Sequence, residues 1–238
     1  MQFKPRYSLY LDSEETGEFV VNAPLSQFFG KTWPNLTADG SDQFVFSINL
    51  VSNDDPLVEN RVTVNSTGNV FGFDLKPLKA SLEPIRVVLY GGPEGGDPMW
   101  TATTELLYLP EKANGSVTKV DNLNGGMLFR NKASNNTFEP LLAYGFYSSF
   151  DGFLRNVSRN DTSVLQHYAD LGLNAITPLT NYRDSVVVFD VMNEMNLKYM
   201  FDMREYYKNL TMVREQVLRA RDADAIFAYW TADEYVCG

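Results

Sequence analysis

One histidine and one cysteine in 238 residues leave little for metal or nucleophile chemistry. A zinc site built on His and Cys needs several such ligands, and a Ser or Cys nucleophile needs a base, for which His167 is the only imidazole. His167 lies in "DTSVLQHYADLGL", which reads as a surface helix, and there it is expected to be solvated. The lone Cys237 can form no intrachain disulfide, so bridges say nothing of compartment. No run of about 18 apolar residues occurs, so no membrane-spanning helix is expected, and "MQFKPRYSLYLD" lacks the apolar h-region of a signal peptide. The stretch "GGPEGGDP" has neither the Lys-Ser/Thr nor the following helix of a phosphate loop and reads as a turn. Positive charge is also short. Lys and Arg number 20 against 30 Asp and Glu, a net charge of -10, which argues against nucleic acid and against an anionic membrane surface as partners. A neutral partner such as a sugar is compatible with that balance. No cofactor and no metal are called for, and carboxylates are the remaining obvious catalytic chemistry.

What is present is enough apolar material for sizeable cores, at 44% hydrophobic and 13% aromatic residues, so a globular protein of one large or two ordinary domains is expected. Glycosylation acceptors are also in excess. Asn-X-Ser/Thr occurs at Asn35, Asn65, Asn114, Asn135, Asn156, Asn160 and Asn209, where about two or three such triplets would arise by chance. Sites without a use should not accumulate, so a secreted or extracellular eukaryotic protein is expected, with its leader outside this sequence.

The hydrophobic period divides the chain. From Tyr7 to about Arg130 the pattern is strand-like: "FVFSIN" alternates Phe44, Phe46, Ile48 and Leu50, "VFGFDL" alternates Phe71, Phe73 and Leu75, and "IRVVLY" alternates Ile85, Val87 and Leu89. "NSTGN" reads as a hairpin-like turn and "GGPEGGDP" as the joint between two strands. Short strands without intervening helices predict an antiparallel β-sandwich over residues 1–138.

After "NKASNNTFEP", a polar stretch that reads as a domain boundary, strand-like and helix-like segments alternate. "LLAYGFY" is a strand; the helix after it carries Val164, Tyr168 and Leu171 on one stripe, with Asn160 or Asp161 as N-cap and Gly172 near its end. "NAITPLT" is the second strand, Val188, Val191, Met192 and Met195 form the next helical stripe, and "LKYMFDM" is the third strand. A helix through "LTMVREQVLRARDA" leads to the fourth, "IFAYW". This alternation predicts a parallel sheet with crossover helices over residues 139–238. Polar and aromatic residues crowd the carboxyl ends of these strands: Tyr147 with Asp151, Thr180 with Tyr182, Asp202 with Arg204, and Trp230 with Asp233 and Glu234. In a β/α barrel that rim carries the active site. A doubly wound open sheet is the rival, without the glycine-rich turn of its dinucleotide-binding version.

The stretches "YLPEKANGSVTKVDNLNGGMLFRN", "AYGFYSSFDGFL", "YADLGLNAITPLT" and "AYWTADE" together resemble secreted glycoside hydrolase-like proteins of fungal type, in which a β-sandwich precedes a glycosidase-superfamily (β/α)8 barrel. The resemblance implies an α+β multidomain chain: an antiparallel β-sandwich, then about half of a TIM barrel. It implies a carbohydrate partner, a polysaccharide or glycoconjugate. It also places Glu234 at the general acid/base position after the fourth strand, with Asp233 as the alternative carboxylate and Tyr147, Asp151, Tyr182, Arg204 and Trp230 as substrate-binding candidates. The large retaining clan has Asn where this chain has Asp233, and related "ADE" barrels continue with Pro where it has Tyr235. The nucleophile is implied on a later strand, so a chain truncated after barrel strand 4 is expected to be inactive by itself. Its open strand edges would favour self-association. The alternative reading is a non-catalytic carbohydrate-binding or surface-interaction protein in which the sandwich does the binding.

Overall fold

The computed structural model describes residues 1–26, 28, 30–34, 36–159, 161–179, 182–204 and 206–231. The chain forms two compact units: Met1–Glu111 with Lys119–Gly126, and Lys112–Thr118 with the chain from Met127 onward.

The strands of the first unit are β1 (Gln2–Pro5), β2 (Tyr10–Leu11), β3 (Thr16–Asn22), β4 (Gln43–Leu50), β5 (Pro56–Thr63), β6 (Asn69–Asp74), β7 (Ile85–Pro93), β8 (Trp100–Leu106) and β9 (Tyr108–Leu109). They make an antiparallel three-stranded sheet of order β1-β3-β6, an antiparallel four-stranded sheet of order β5-β4-β7-β8, and a short parallel pair, β2-β9. Phe3, Phe19, Val21 and Phe73 of the first sheet and Phe44, Phe46, Ile48, Val62, Val87 and Leu89 of the second belong to one buried cluster. The alternation expected for β4 holds, since Phe44, Phe46 and Ile48 are buried while Val45 is exposed. Phe19 stacks on Phe73 with ring centroids 4.5 Å apart. One expectation fails. "NSTGN" is not a hairpin turn, because β5 pairs with β4 whereas β6 pairs with β3, so the segment carries the chain from one sheet to the other. Asn65, at φ 66°, makes the turn. The stretch "GGPEGGDP" does join β7 to its antiparallel neighbour β8.

Two polar groups inside this unit are held by close partners. Lys119, whose side chain is 2% exposed, lies 2.5 Å from the Glu14 carboxylate and over the rings of Tyr7 and Tyr10. The Tyr10 hydroxyl donates to the Glu18 carbonyl at 2.9 Å and accepts from the Glu18 N–H at 2.9 Å, tying β2 to β3.

The second unit contains part of β10 (Val117–Val120), then β11 (Met127–Arg130), β12 (Glu139–Leu141), β13 (Gly145–Ser149), α1 (Ser163–Asp170), β14 (Ala175–Leu179), α2 (Tyr182–Glu194), β15 (Lys198–Asp202), α3 (Leu210–Ala220) and β16 (Ile226–Trp230). β11 pairs antiparallel with β12, so the polar stretch "NKASNNTFEP", read from sequence as a domain boundary, is the loop of a hairpin inside this unit. Asn131 starts it by accepting from the Ser134 N–H at 3.2 Å, and Asn135 and Asn136 both take positive φ. β13, β14, β15 and β16 form a four-stranded, fully parallel sheet in sequence order. Its helix-facing cluster includes Leu165 and Tyr168 of α1, Val188 and Met192 of α2, and Ile176, Tyr199 and Phe201 of the strands.

The residues expected as the α2 stripe pack together, with Val188 and Met192 buried, Val191 partly buried and Met195 partly buried just past the helix end, whereas the α1 stripe shifts: Leu165 and Tyr168 are buried and Leu171 is 64% exposed. The helix ends at Asp170, and Gly172, at φ +81°, turns the chain away. Its N-cap is Thr162 rather than Asn160 or Asp161, although the Asp161 carboxylate accepts from the Ser163 N–H at 3.1 Å. His167 is exposed on α1, as its sequence context implies.

Burial pushes the Tyr10 phenol up to about 12 from an ordinary 10.0. The neutral phenol is the form the fold favours, so its stabilisation is complete below pH ~10 and fades as pH rises toward about 12. Two pH units at about 1.36 kcal/mol each give at most ~2.7 kcal/mol. The stability difference between the wild-type chain and Tyr10→Phe, measured by urea denaturation, is expected to shrink by up to about that amount across this window and to stay constant below it.

Candidate functional site

At the carboxyl ends of β15 and β16 the parallel register sets Asp202 beside Trp230, and the Met203 N–H donates to the Trp230 carbonyl at 2.8 Å. The chain then turns back on itself: the Arg204 N–H and Nε donate to Asp202 Oδ1 at 3.0 and 2.9 Å, and its NH2 group donates to Oδ2 at 3.0 Å. The same guanidinium lies 4.0 Å from the Trp230 ring centroid. A two-pronged ion pair and a cation–π contact thus hold Arg204 in one place, each worth more here than on an open surface because Asp202 is only 11% exposed. The result is a fixed cation, a fixed carboxylate and an indole on two neighbouring strand ends.

The other candidates lie elsewhere. Tyr147, on β13, is 70% exposed and sits at the opposite side of the sheet, about 14 Å from β16 at ~4.8 Å per strand spacing. Asp151 falls in a π-helical turn, Phe150–Leu154, where it pairs with Arg155. Tyr182 is the first residue of α2 rather than a strand-end residue. Thr180, Glu205, Asp233, Glu234 and Cys237 lie outside the described residues, as do Asn35 and Asn160. The other glycosylation acceptors, Asn65, Asn114, Asn135, Asn156 and Asn209, are all exposed. Asn209 also caps α3, accepting from the Met212 N–H at 3.2 Å.

The sequence places Asp202 and Arg204 at one strand end and leaves the partner of Arg204 open between Asp202 and Glu205; it gives no sign of the indole beneath them, because a cation–π contact between strands leaves no local signal. It also missed Asn131, a buried side chain whose amide donates to Asn196 Oδ1 at 2.9 Å and to the Asp224 carbonyl at 2.8 Å. That residue fixes the start of the hairpin against the turns before β15 and β16 and has a structural role. Among the described residues no group of three or more His, Cys, Asp or Glu side chains is placed to hold a metal ion, and no helix is long and apolar enough to cross a membrane.

Replacing Asp202 by Asn removes the charge from a mostly buried pair and leaves Arg204 under-compensated. Hydrogen bonds to charged groups are worth about 1.5–3 kcal/mol, and Asp202→Asn is expected to cost an amount in that range in urea denaturation. Trp230, no longer covered by a fixed guanidinium, should become more accessible to acrylamide quenching.

No protein-family model matches the chain. No curated protein matches it either. Among solved structures it is similar to a β-glucuronidase of Parabacteroides merdae, crystallised with glycerol in its active site, at 14% identity and a TM-score of 0.36 over 96% of this chain and 28% of that one. It is also similar to a calcium-binding mutant of Bacteroides uniformis β-glucuronidase 2, at 11% identity and a TM-score of 0.34 over 95% of this chain and 27% of that one. The chain spans under a third of the length of either enzyme.

Proposed function

We propose that the chain is a glycoside hydrolase-like, carbohydrate-acting protein in which the two sheets of the first unit form a β-sandwich and the four parallel strands form part of a (β/α) barrel. The observation that carries this reading is the clamp of Arg204 between Asp202 and the Trp230 indole on adjacent strand ends. Ligands of parallel α/β sheets bind beyond the carboxyl ends of the strands. There a fixed cation and carboxylate can take sugar hydroxyls. Glu234, four residues after Trp230, is the proposed general acid, with Asp233 as the alternative. A secretory route is part of the proposal and draws support from the exposure of the described acceptor asparagines.

Hydrolysis by the two-carboxylate route needs a second carboxyl group, about 5–5.5 Å from the acid in retaining enzymes. Asp202 is committed to Arg204 and Asp151 to Arg155, so neither is placed to serve. We therefore propose that the partner carboxylate comes from outside the described residues, and, with the nucleophile strand that the resemblance implies lying later than the fourth, that this chain does not turn over by itself. The same commitment of both acids favours the second reading, a carbohydrate-binding protein without catalysis.

The test is made in a longer chain that carries the remaining barrel strands. Glu234→Gln is expected to lower turnover of a natural glycan by about a hundredfold, as typical for loss of a general acid. It should cost much less on an activated aryl glycoside, whose leaving group needs little proton assistance. Equal losses on both substrates, or a larger loss from Asp233→Asn, would transfer the role or remove it.

A further inference from the structure

The outer face of the four-stranded sheet in the first unit carries a hollow of about 540 Å³, within the ~300–1,000 Å³ typical of small-molecule sites. Its construction explains the glycine stretch that chemistry left unused. At Gly91 an added Cβ would stand 2.3 Å from the Phe44 ring on the core side, and at Gly92 it would stand 2.4 Å from the Asp97 carbonyl on the outer side. The adjacent glycines therefore let the core ring close up from below and the loop after β7 fold over the sheet from above. Glu94 of that loop accepts from Arg61 of β5 at 2.7 Å, which pins the loop as a wall.

The floor follows from strand register. Glu59, Ser47 and Tyr90 are cross-strand partners on β5, β4 and β7, and Val45, beside Ser47 on the same face, pairs with Arg61. Tyr90 is 36% exposed and Val45 39% exposed, so an aromatic ring and an apolar side chain face the hollow. Glu59, Ser47 and Tyr90 take no side-chain hydrogen bond or ion pair among the described residues. A row of carboxylate, hydroxyl and phenol groups with unused hydrogen-bonding capacity thus crosses three strands, and the ring of the phenol itself supplies the aromatic face. Glu59 and Glu94 against Arg61 leave one net negative charge, which disfavours an anion. A flat aromatic face for C–H groups flanked by hydroxyl acceptors and donors is the chemistry that recognises a neutral sugar ring.

We propose that this hollow is a binding site for a neutral saccharide, separate from the rim of the parallel sheet. It rests on the carbohydrate reading for the class of ligand alone, since none of its residues belongs to the rim. Strand register fixes the floor of the site within the sheet, and the Glu94–Arg61 pair ties its loop wall to β5.

The experiment is a titration of the ¹⁵N-labelled 238-residue chain with cellotriose, laminaritriose and mannotriose in turn, followed by amide chemical shifts. The expected result is saturable shifts at Val45–Ser47 and Gly91–Gly96 with at least one of them, weakened about tenfold or more by Tyr90→Ala and several-fold by Glu59→Gln, and unchanged by Trp230→Ala. The spectrum of each variant away from the hollow reports its folding, and Glu59→Gln decides if Tyr90→Ala fails to fold. Shifts confined to the strand ends around Asp202 and Trp230 would overturn the hollow while leaving the rim reading intact. The absence of shifts with all three sugars, or stronger binding of glucuronate or choline in the hollow, would overturn it as well. The turnover test of Glu234 is independent of each of these outcomes.

Discussion

The parallel sheet that carries the rim opens on one close approach. Gly145, which opens β13, stands so near the Ala175 carbonyl of β14 that an added Cβ would overlap it, 1.6 Å from the oxygen and 2.3 Å from the Tyr168 hydroxyl. That hydroxyl fills the gap, accepting from the Phe146 N–H at 2.8 Å and donating to the Ala175 carbonyl at 2.7 Å. One phenol thereby bridges two strands from a helix that packs against both. Burial raises the pKa of Tyr168, which keeps the proton needed for the donated bond. β14 pairs in turn with β15 and β15 with β16, and the carboxyl ends of the last two set Asp202 and Trp230 side by side.

The two units solve the burial of polar groups in the same manner with different residues. In the first, Lys119 is enclosed by Glu14 and two tyrosine rings; in the second, Arg204 is enclosed by Asp202 and one indole. In both, a carboxylate and an aromatic face together replace the water that the cation loses. The Arg204 group differs in lying at a strand end, 29% exposed, where a ligand can still reach it.

The period-2 patterns of β4, β6 and β7 and the helical stripe of α2 were legible because each repeats over enough residues to outweigh local exceptions. The joint at "NSTGN" was not, since turn residues specify a change of direction and leave open which strand pairs next. The α1 stripe slipped because Leu171 has the right spacing but lies past the helix end. At the rim, Asp202, Arg204 and Trp230 could be named from their places after strands, whereas Tyr147 and Asp151 shared that placement and are held at the far side of the sheet or by another cation. The hollow at Tyr90 was hidden for a different reason. Its members are outward positions of three strands, and sequence shows them only as the polar half of an alternation.

The bridge through Tyr168 can be tested by residue-resolved amide hydrogen exchange of the wild-type chain and of Tyr168→Phe. If the phenol sets the register of the parallel sheet, exchange at Phe146 and along β13 should accelerate by about tenfold or more, as expected for losing about 1.4 kcal/mol of local stability, while β4 and β7 of the first unit keep their protection. Unchanged protection at Phe146 in the variant would show that the sheet is held without the hydroxyl, and the foundation assigned to the rim would be wrong.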